Sequence, residues 1–236
     1  MKVLVLGDIH GRDCWKKIIE KESPDKVIFL GDYVSTHKDI IAETQINNLR
    51  DILDYKISHT DTVILLRGNH DMQHLGYSWA DCSGYDSKVA NEMVNIKDEF
   101  LNLSQWIYQM DNIIFSHAGI STEWLEQVIK VKIEEINDIE PNWYFGFWPS
   151  KMSDYYGISP TQPPTWIRPQ TLVEYMPKDY IQVVGHTHYE CVFNFGQWIK
   201  GYYENIDCPD LWCCDALPNQ YLIINDNEFI VKNYDE

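Results

Sequence analysis

The chain has 236 residues, of which 44% are hydrophobic and 23% are charged. This composition is typical of a globular protein with a substantial core, and it excludes an intrinsically disordered chain. The 19 basic and 36 acidic residues give a formal net charge of −17, which argues against long nucleic acid or an anionic membrane as a partner.

The start of the chain and its cysteines favour a cytoplasmic protein. The apolar run that follows Met1 is too short for the core of a signal peptide, and it ends at Asp8. No stretch approaches the ~18 uninterrupted apolar residues of a membrane span. The six cysteines include no C-x-x-C pair, and we expect them to be reduced thiols.

Short runs of Val, Ile, Leu and Phe alternate with longer polar segments over the first 120 residues. Runs that are apolar at nearly every position are typical of strands buried on both faces of a sheet. They predict strands at residues 2–6, 26–30, 62–66 and 112–116.

Three stripes of apolar residues at helical spacing lie between and after these runs, and each predicts one helix. Pro141 is expected to end the third helix. The members of the stripes are, in turn, Ile46, Leu49, Leu53 and Ile57; Val89, Met93, Ile96, Phe100 and Leu103; and Leu125, Val128, Ile129, Ile133 and Ile136.

The chain changes character between residues 141 and 177. Prolines are frequent there and residues 143–148 are densely aromatic, so we expect a long irregular excursion that caps a site. Strand-like runs return at residues 181–184, 221–225 and 228–232, and the last two are joined like a hairpin. No domain boundary is visible, which predicts one α/β domain over residues 1–236.

Five of the predicted strands end in a glycine close to Asp, Asn or His. In an open α/β sheet the carboxyl ends of the strands converge on one crevice, so these polar side chains are expected to meet in space. A single histidine is more often a structural residue, but five of the eight histidines lie at these strand ends. The set is Asp8, His10, Asp32, Asn69, His70, His117, His186 and His188.

The chemistry of this set favours a metal centre. Carboxylate, imidazole and amide ligands together suit divalent transition metals such as Mn, Fe or Zn. Seven ligands from this set of eight residues are too many for one ion but suffice for two ions that share a carboxylate. Two ions ~3.5–4 Å apart can clamp a phosphoryl group and activate a bridging hydroxide for in-line attack.

In chain order, the motifs D-x-H, GD, GNHD, H-x-G and GHTH resemble those of the calcineurin-like metallophosphoesterases, over residues 8–188. The resemblance implies a four-layer α/β/β/α sandwich of two mixed sheets with two divalent metal ions, manganese first and iron or zinc as alternatives. The first ion would be held by Asp8, His10 and His188, the second by Asn69, His117 and His186, and Asp32 would bridge them.

The resemblance also implies catalytic roles. His70 would protonate the leaving oxygen or stabilise charge on the transferring phosphoryl group. Arg168 lies where small members of the family carry a Trp-x-Arg, and its guanidinium is expected to grip phosphate; a surface ion pair is the alternative. His70, Asp32 and Arg168 are thus the predicted catalytic residues, and Arg168, Asn69 and His70 the predicted substrate contacts.

Within the family the motifs look most like the protein-phosphatase branch, which also includes small bacterial and phage Ser/Thr phosphatases and symmetrical diadenosine tetraphosphatases. One departure concerns the segment after GDYV, where the branch has Asp-Arg-Gly to orient the acid histidine and bind phosphate. Here the residues are Ser35-Thr36-His37, and Asp71, Arg12 and His37 are the candidates to replace the missing groups.

Three functions are compatible with these residues. The first is a phosphomonoesterase acting on a Ser/Thr phosphoprotein or a small phosphorylated molecule. The second is a hydrolase of dinucleoside polyphosphates or other nucleotides, because the aromatic run 143–148 offers rings for stacking on a base. The third is a non-catalytic scaffold, which the full ligand set and His70 disfavour.

Overall fold

A computed structural model describes residues 1–36, 40–78, 82–141, 156–202 and 210–235. Its strands are β1 (Lys2–Leu6), β2 (Lys26–Phe29), β3 (Val63–Leu66), β4 (Ser104–Gln105), β5 (Ile107–Met110), β6 (Ile113–Ser116), β7 (Ile181–Val184), β8 (Phe193–Asn194), β9 (Leu211–Cys213), β10 (Gln220–Asn225) and β11 (Glu228–Asn233). Its α-helices are α1 (Cys14–Glu22), α2 (Ala42–Ser58), α3 (Asn69–His74), α4 (Ser87–Asn95), α5 (Lys97–Leu103), α6 (Pro169–Tyr175) and α7 (Phe195–Tyr202).

The strands form two mixed sheets. The first has the order β11-β10-β1-β2-β3-β4, with β1 to β4 parallel to one another, β10 antiparallel to β1, and β11 antiparallel to β10. The second has the order β5-β6-β7-β9-β8, with a parallel centre and antiparallel edges. The strand β1 lies in the middle of this sheet, and in its register Val5 pairs with Ile28 of β2 on one side and with Leu222 of β10 on the other.

The two sheets pack face to face, and each is covered by helices on its outer face. Alternation along a strand sends Val5 of β1 toward Phe115 of β6 between the sheets, whereas Leu4 packs outward against the helical layer. On the far side, residues of the second sheet pack against Trp124 and against Leu172 of α6. The predicted α/β/β/α sandwich of two mixed sheets is confirmed.

All seven predicted strands are present, with ends within one residue of the prediction. The strands β4, β5, β8 and β9 were not predicted, since they are two to four residues long and β5 is partly exposed. Two helix predictions were wrong in extent. The second stripe breaks at Ile96 into α4 and α5, and the third splits at Lys130 into a π-helical turn (Trp124–Ile129) and a 3₁₀ helix (Ile133–Asp138).

The break at Lys130 has a backbone cause, because this residue adopts a left-handed φ of 55° that ends the π-helical turn. The predicted excursion over residues 141–177 contains α6, which the pattern did not predict. The aromatic run 143–148 lies outside the described residues. Every helix in the described ranges is too short or too polar to cross a membrane.

Candidate metal centre

The ends of β1, β2, β3 and β7 meet around one opening of about 400 Å³, which we call the strand-end cavity. Its wall includes seven of the eight predicted polar residues together with Arg168. The eighth, His117, is fully buried behind the wall and contacts Asn69. The residues in the wall are Asp8, His10, Asp32, Asn69, His70, His186 and His188.

Two glycines explain how the carboxylates come so close to the neighbouring strand ends. A Cβ atom on Gly68 would lie 2.1 Å from Asp32 Oδ1, and one on Gly185 would lie 2.3 Å from Asp8 Oδ1. Only glycine leaves room for the carboxylate at these positions. Gly185 follows β7 and Asp8 follows β1, so this contact joins the two sheets at the site.

The two carboxylates are held by backbone amides and face imidazoles. Asp8 Oδ1 accepts the backbone N–H of His186 at 2.9 Å, and its Oδ2 lies 3.8 Å from His10 Nε2. Asp32 Oδ1 accepts the backbone N–H of His70 at 2.9 Å, and its Oδ2 lies 3.4 Å from His117 Nε2. Ligating atoms of Asp8, His10 and Asp32 all lie within 4.8 Å of one another.

Three histidines share one mode of support. His10 Nδ1, His117 Nδ1 and His186 Nε2 lie 3.2, 2.8 and 3.2 Å from the carbonyl oxygens of Val34, Leu30 and Trp166, respectively. A carbonyl only accepts hydrogen bonds, so each of these nitrogens carries a proton, and in the neutral imidazole the other nitrogen presents a lone pair to the centre. Metal-ligating histidines are typically oriented in this way.

The lone pairs converge on acceptor atoms. His117 Nε2 and His186 Nδ1 both lie 2.9 Å from Asn69 Oδ1. Two imidazole nitrogens and an amide oxygen that all accept hydrogen bonds are satisfied together by a cation. With Asp8 and Asp32 beside them, these donors fit divalent metal ions of the Mn, Fe or Zn kind.

The site also concentrates buried negative charge. Burial raises the pKa of Asp8, and the charge of the neighbouring Asp215 raises it further. Burial is also the largest cause of the raised pKa of Asp215. Burial would lower the pKa of His117, but the carboxylates of Asp32 and Asp8 raise it to about 10, so a cation that binds to Nε2 would displace a proton from it. Bound cations would neutralise this group of buried acids.

His70 has no carboxylate partner for its Nδ1. This atom is buried without a hydrogen bond to any described residue, and Nε2 lies 3.8 Å from Asp32 Oδ2. Burial lowers the pKa of His70 to about 4, against the opposing effect of Asp32. The Ser35 hydroxyl donates to the Ser83 carbonyl at 3.2 Å instead.

Asp71 does not replace the missing partner either. Its two carboxylate oxygens accept the backbone N–H groups of Asp32, Tyr33 and Gly68 at 2.8–2.9 Å, which ties the ends of β2 and β3 together. Another candidate, His37, lies outside the described residues. Arg12 donates to the Asp8 carbonyl at 3.0 Å and lines the strand-end cavity.

Arg168 is held inside the cavity. Its guanidinium donates to Thr187 Oγ1 at 3.0 Å and lies 5.7 Å from the centre of the Trp166 ring. No carboxylate in the described part of the chain forms an ion pair with it, so the surface ion pair considered as an alternative is not found. Burial lowers the pKa of Arg168.

Sequence patterns gave no role to Trp166 and Asp215, which also line the cavity. Trp166 stands in the Trp-x-Arg motif that drew attention to Arg168, so a signal for it was present. Asp215 follows β9, a strand of three residues that no pattern predicted, and its place in the site depends on the pairing of β9 with β7.

Gly185→Ala tests whether the packing of the strand ends positions Asp8. The added Cβ would displace the Asp8 carboxylate, so we expect affinity for Mn²⁺ to fall about 10-fold or more, as for other losses of ligand support. Gly201→Ala is the matched control, because its Cβ would have no atom within 4 Å. Equilibrium dialysis of both variants measures the effect, and equal affinities would refute it.

Comparison with known proteins agrees with this arrangement. The family model for calcineurin-like phosphoesterases matches residues 1–190. Curated relatives include the symmetrical bis(5'-nucleosyl)-tetraphosphatases of two strains (Tuc7 and 5A) of Buchnera aphidicola subsp. Acyrthosiphon pisum, each 30% identical over 159 residues that cover 58% of this chain and 52% of theirs. The chain therefore spans about half the length of the curated relatives it matches.

Two solved structures share the fold. A cold-active protein-tyrosine phosphatase of a psychrophilic Shewanella has a TM-score of 0.66 and 16% identity, over 99% of this chain and 78% of its own. A protein serine/threonine phosphatase from Saccharomyces cerevisiae has a TM-score of 0.58 and 13% identity, over 98% and 79%. The family match extends over every motif at the strand ends, and the chain belongs to the calcineurin-like phosphoesterase family.

Proposed function

We propose that this chain hydrolyses phosphomonoesters with the help of two divalent metal ions, manganese first and iron or zinc as alternatives. Its substrate would be a Ser/Thr phosphoprotein or a small phosphorylated molecule. One observation supports this proposal above all. Three histidines each donate a hydrogen bond from one ring nitrogen to a backbone carbonyl and turn the other nitrogen toward Asp8, Asp32 or Asn69.

The proposed ligands divide into two groups around Asp32. Asp8, His10 and His188 would hold one ion, Asn69, His117 and His186 the other, and Asp32 would bridge them. When bound, the ions would supply Lewis acidity toward a phosphoryl group and a nucleophile at neutral pH. Two ions and the two aspartates carry a net positive charge, so the site would attract phosphate although the chain as a whole is acidic.

Arg168 and His70 would act directly on the substrate. Thr187 and the His186 carbonyl fix one side of the Arg168 guanidinium, which leaves donors for phosphate oxygens in the cavity. His70 stands in the cavity wall and has no place in the ligand set, so it would give a proton to the leaving oxygen or, as the neutral imidazole that its lowered pKa favours, donate a hydrogen bond that stabilises charge on the transferring phosphoryl group. Asn69 lies beside His70 and would contact the substrate as well as a metal ion.

Arg168→Lys tests the phosphate clamp. Lysine keeps the charge but loses the planar pair of donors, so we expect kcat/KM for an aryl monophosphate to fall about 10-fold or more. Arg50→Lys is the control, since Arg50 forms an exposed ion pair with Glu92. Steady-state kinetics that show no difference between the two variants would remove Arg168 from the site.

A panel of substrates tests the proposed function. Metal-stripped protein is supplied with Mn²⁺, Zn²⁺, Fe²⁺ or Mg²⁺ and assayed on an aryl monophosphate, an aryl phosphodiester, a phosphoserine peptide and diadenosine tetraphosphate. We expect metal-restored turnover that favours the monophosphate and the peptide. Absence of turnover with every metal would contradict the proposal and favour a scaffold.

A second candidate function is hydrolysis of a dinucleoside polyphosphate. It is favoured by Trp166, a half-buried ring in the cavity wall that lies 5.3 Å from the His186 ring and is able to stack on a base. The curated relatives named bis(5'-nucleosyl)-tetraphosphatases point the same way.

Trp166→Leu separates the two candidates. If the nucleotide is the substrate, loss of one stacking ring should lower kcat/KM for diadenosine tetraphosphate about 10-fold and leave the aryl monophosphate nearly unchanged. Trp198→Leu is the control, because Trp198 lies half exposed on α7 and is not among the residues of the cavity wall. Equal effects on the two substrates would argue against stacking by Trp166.

Organisation and location complete the proposal. One catalytic domain over residues 1–236 would carry the whole site, with part of the segment 141–177 as its cap. The cytoplasm is the compartment we propose, because the five described cysteines are free thiols, as is usual in reducing compartments. Neither long nucleic acid nor a membrane is a proposed partner.

A further inference from the structure

Asp215 is a buried carboxylate in the site that the proposed ligand set does not use. It follows β9, its side chain lines the strand-end cavity, and the residue is only 4% exposed. Burial raises the pKa of this carboxyl group, against the opposing effect of His10, His188 and Arg12. A buried carboxylate in this position needs a partner.

The backbone around Asp215 is fastened on both sides of the GHTH segment. The Cys214 N–H donates to the Val184 carbonyl at 2.7 Å, just before this segment, and the Tyr189 N–H donates to the Asp215 carbonyl at 2.9 Å, just after it. On the opposite side, a Cβ on Gly7 would lie 2.2 Å from the Cys214 carbonyl oxygen. Asp215 is therefore fixed between the end of β1 and the segment that carries His188.

His188 differs from the other histidines of the proposed ligand set. His10, His117 and His186 each have a ring nitrogen on a backbone carbonyl, and His117 is fully buried. The His188 side chain is 64% exposed, and among the described residues its ring has no hydrogen bond to a carbonyl. What its Nδ1 faces is Asp215 Oδ1, at 3.7 Å.

This separation is slightly longer than a hydrogen bond, and a small rotation of the exposed ring would close it. The carboxylate then accepts the Nδ1–H of His188 and leaves the lone pair of Nε2 available for a metal ion. Carboxylate–histidine pairs of this kind fix the tautomer and the orientation of metal-ligating histidines, and they raise the basicity of the ligating nitrogen.

We propose that Asp215 is a positioning residue for His188. Its carboxylate would accept the ring N–H of His188, as backbone carbonyls do for the other three histidines. The inference rests on the proposed function, since it assigns His188 to the first metal ion. It explains why an exposed histidine would serve as a ligand: its freedom to rotate is limited by a buried partner rather than by packing.

The test measures binding of Mn²⁺ to the full chain by equilibrium dialysis and by the electron paramagnetic resonance signal of coupled Mn²⁺ pairs. In Asp215→Ala we expect one of two ions to bind about 10- to 100-fold more weakly, so that the coupled signal gives way to that of isolated Mn²⁺. Asp215→Asn keeps the shape and an acceptor oxygen, and it should lose less. Asp210→Asn, at the start of the same strand region, is the control.

A double-mutant cycle with His188→Ala shows whether Asp215 acts through His188. If it does, Asp215→Ala should weaken binding in the wild-type chain and have little further effect in the His188→Ala background. Additive losses, or an Asp215→Ala variant that still binds two ions as tightly as wild type, would overturn the inference and leave the proposed function standing. A wild-type chain that binds no Mn²⁺ would overturn both.

Discussion

Asp32→Asn is expected to lower metal-dependent turnover by about 10³-fold or more, because it removes the carboxylate proposed to serve both ions. In the structure Asp32 Oδ2 lies 3.4 Å from His117 Nε2 and 3.8 Å from His70 Nε2. The asparagine amide has one uncharged oxygen that can ligate a metal ion. Its NH₂ group, which cannot ligate a cation, takes the place of the second carboxylate oxygen. The measurement is kcat for an aryl monophosphate at saturating Mn²⁺, together with bound metal per chain.

The control for this variant is Asp51→Asn, which removes an exposed carboxylate paired with Lys16. It should change neither turnover nor bound metal. A variant Asp32→Asn that kept full metal-dependent activity would show that Asp32 does not bridge, and the proposed ligand set would fail at its centre.

His70→Asn is expected to lower kcat by about 10²- to 10⁴-fold, as for loss of a general acid, while metal binding stays close to wild type. His70 lines the cavity, but it is not one of the two histidines whose ring nitrogens lie 2.9 Å from Asn69 Oδ1. The loss should be smaller for an aryl monophosphate with an acidic leaving group than for a phosphoserine peptide, because a good leaving group needs no proton.

The matched control is His59→Asn, an exposed histidine whose Nδ1 lies 2.9 Å from the Tyr55 carbonyl oxygen. Loss of bound metal in His70→Asn would make His70 a ligand, and unchanged kcat with both kinds of substrate would remove its catalytic role. No carboxylate among the described residues is hydrogen-bonded to its Nδ1, but the His70 ring packs 5.2 Å from the His10 ring and its Nε2 lies 3.8 Å from Asp32 Oδ2, so bound metal must be measured together with kcat.

The strands of the core were predictable because nearly every residue in them is apolar. Val63–Leu66, for example, is buried at all four positions. The edge strand β5 could not be predicted in this way, since Gln109 is exposed and its neighbours are partly exposed. Just before and at the start of β5, Asn137 accepts the N–H groups of Trp106 and Ile107 from about 30 residues away, a contact that no local pattern contains.

The candidate site was predictable to the extent that glycine and polar residues follow each core strand directly. Gly185 and Gly68 show the physical reason, since they make room for the carboxylates of Asp8 and Asp32. Asp215 could not be assigned a role from the sequence because its place depends on the pairing of a three-residue strand with β7. The two helices were predicted too long because the apolar stripe continues across the breaks at Ile96 and Lys130, so the stripe does not reveal where the helix ends.

The roles of the site residues stay predictions, and so does stacking by the aromatic run 143–148, which lies outside the described residues. The structure adds one candidate for substrate recognition that the sequence analysis did not weigh, Trp166, and it places Arg12, which was already a candidate, in the same cavity. Arg12 and Trp166 lie in the same wall as Arg168, so phosphate and a ring would be contacted from neighbouring positions.

We propose above that the residues at the strand ends hold two metal ions and that the chain then hydrolyses a phosphoester. This proposal is tested most directly by titrating metal-stripped protein with Mn²⁺ while bound metal and turnover of an aryl monophosphate are measured in the same samples. We expect turnover to rise with the second equivalent of metal and to saturate at two ions per chain. Saturation at one ion, or tight binding of two without turnover of this or any other phosphoester in the panel, would contradict it.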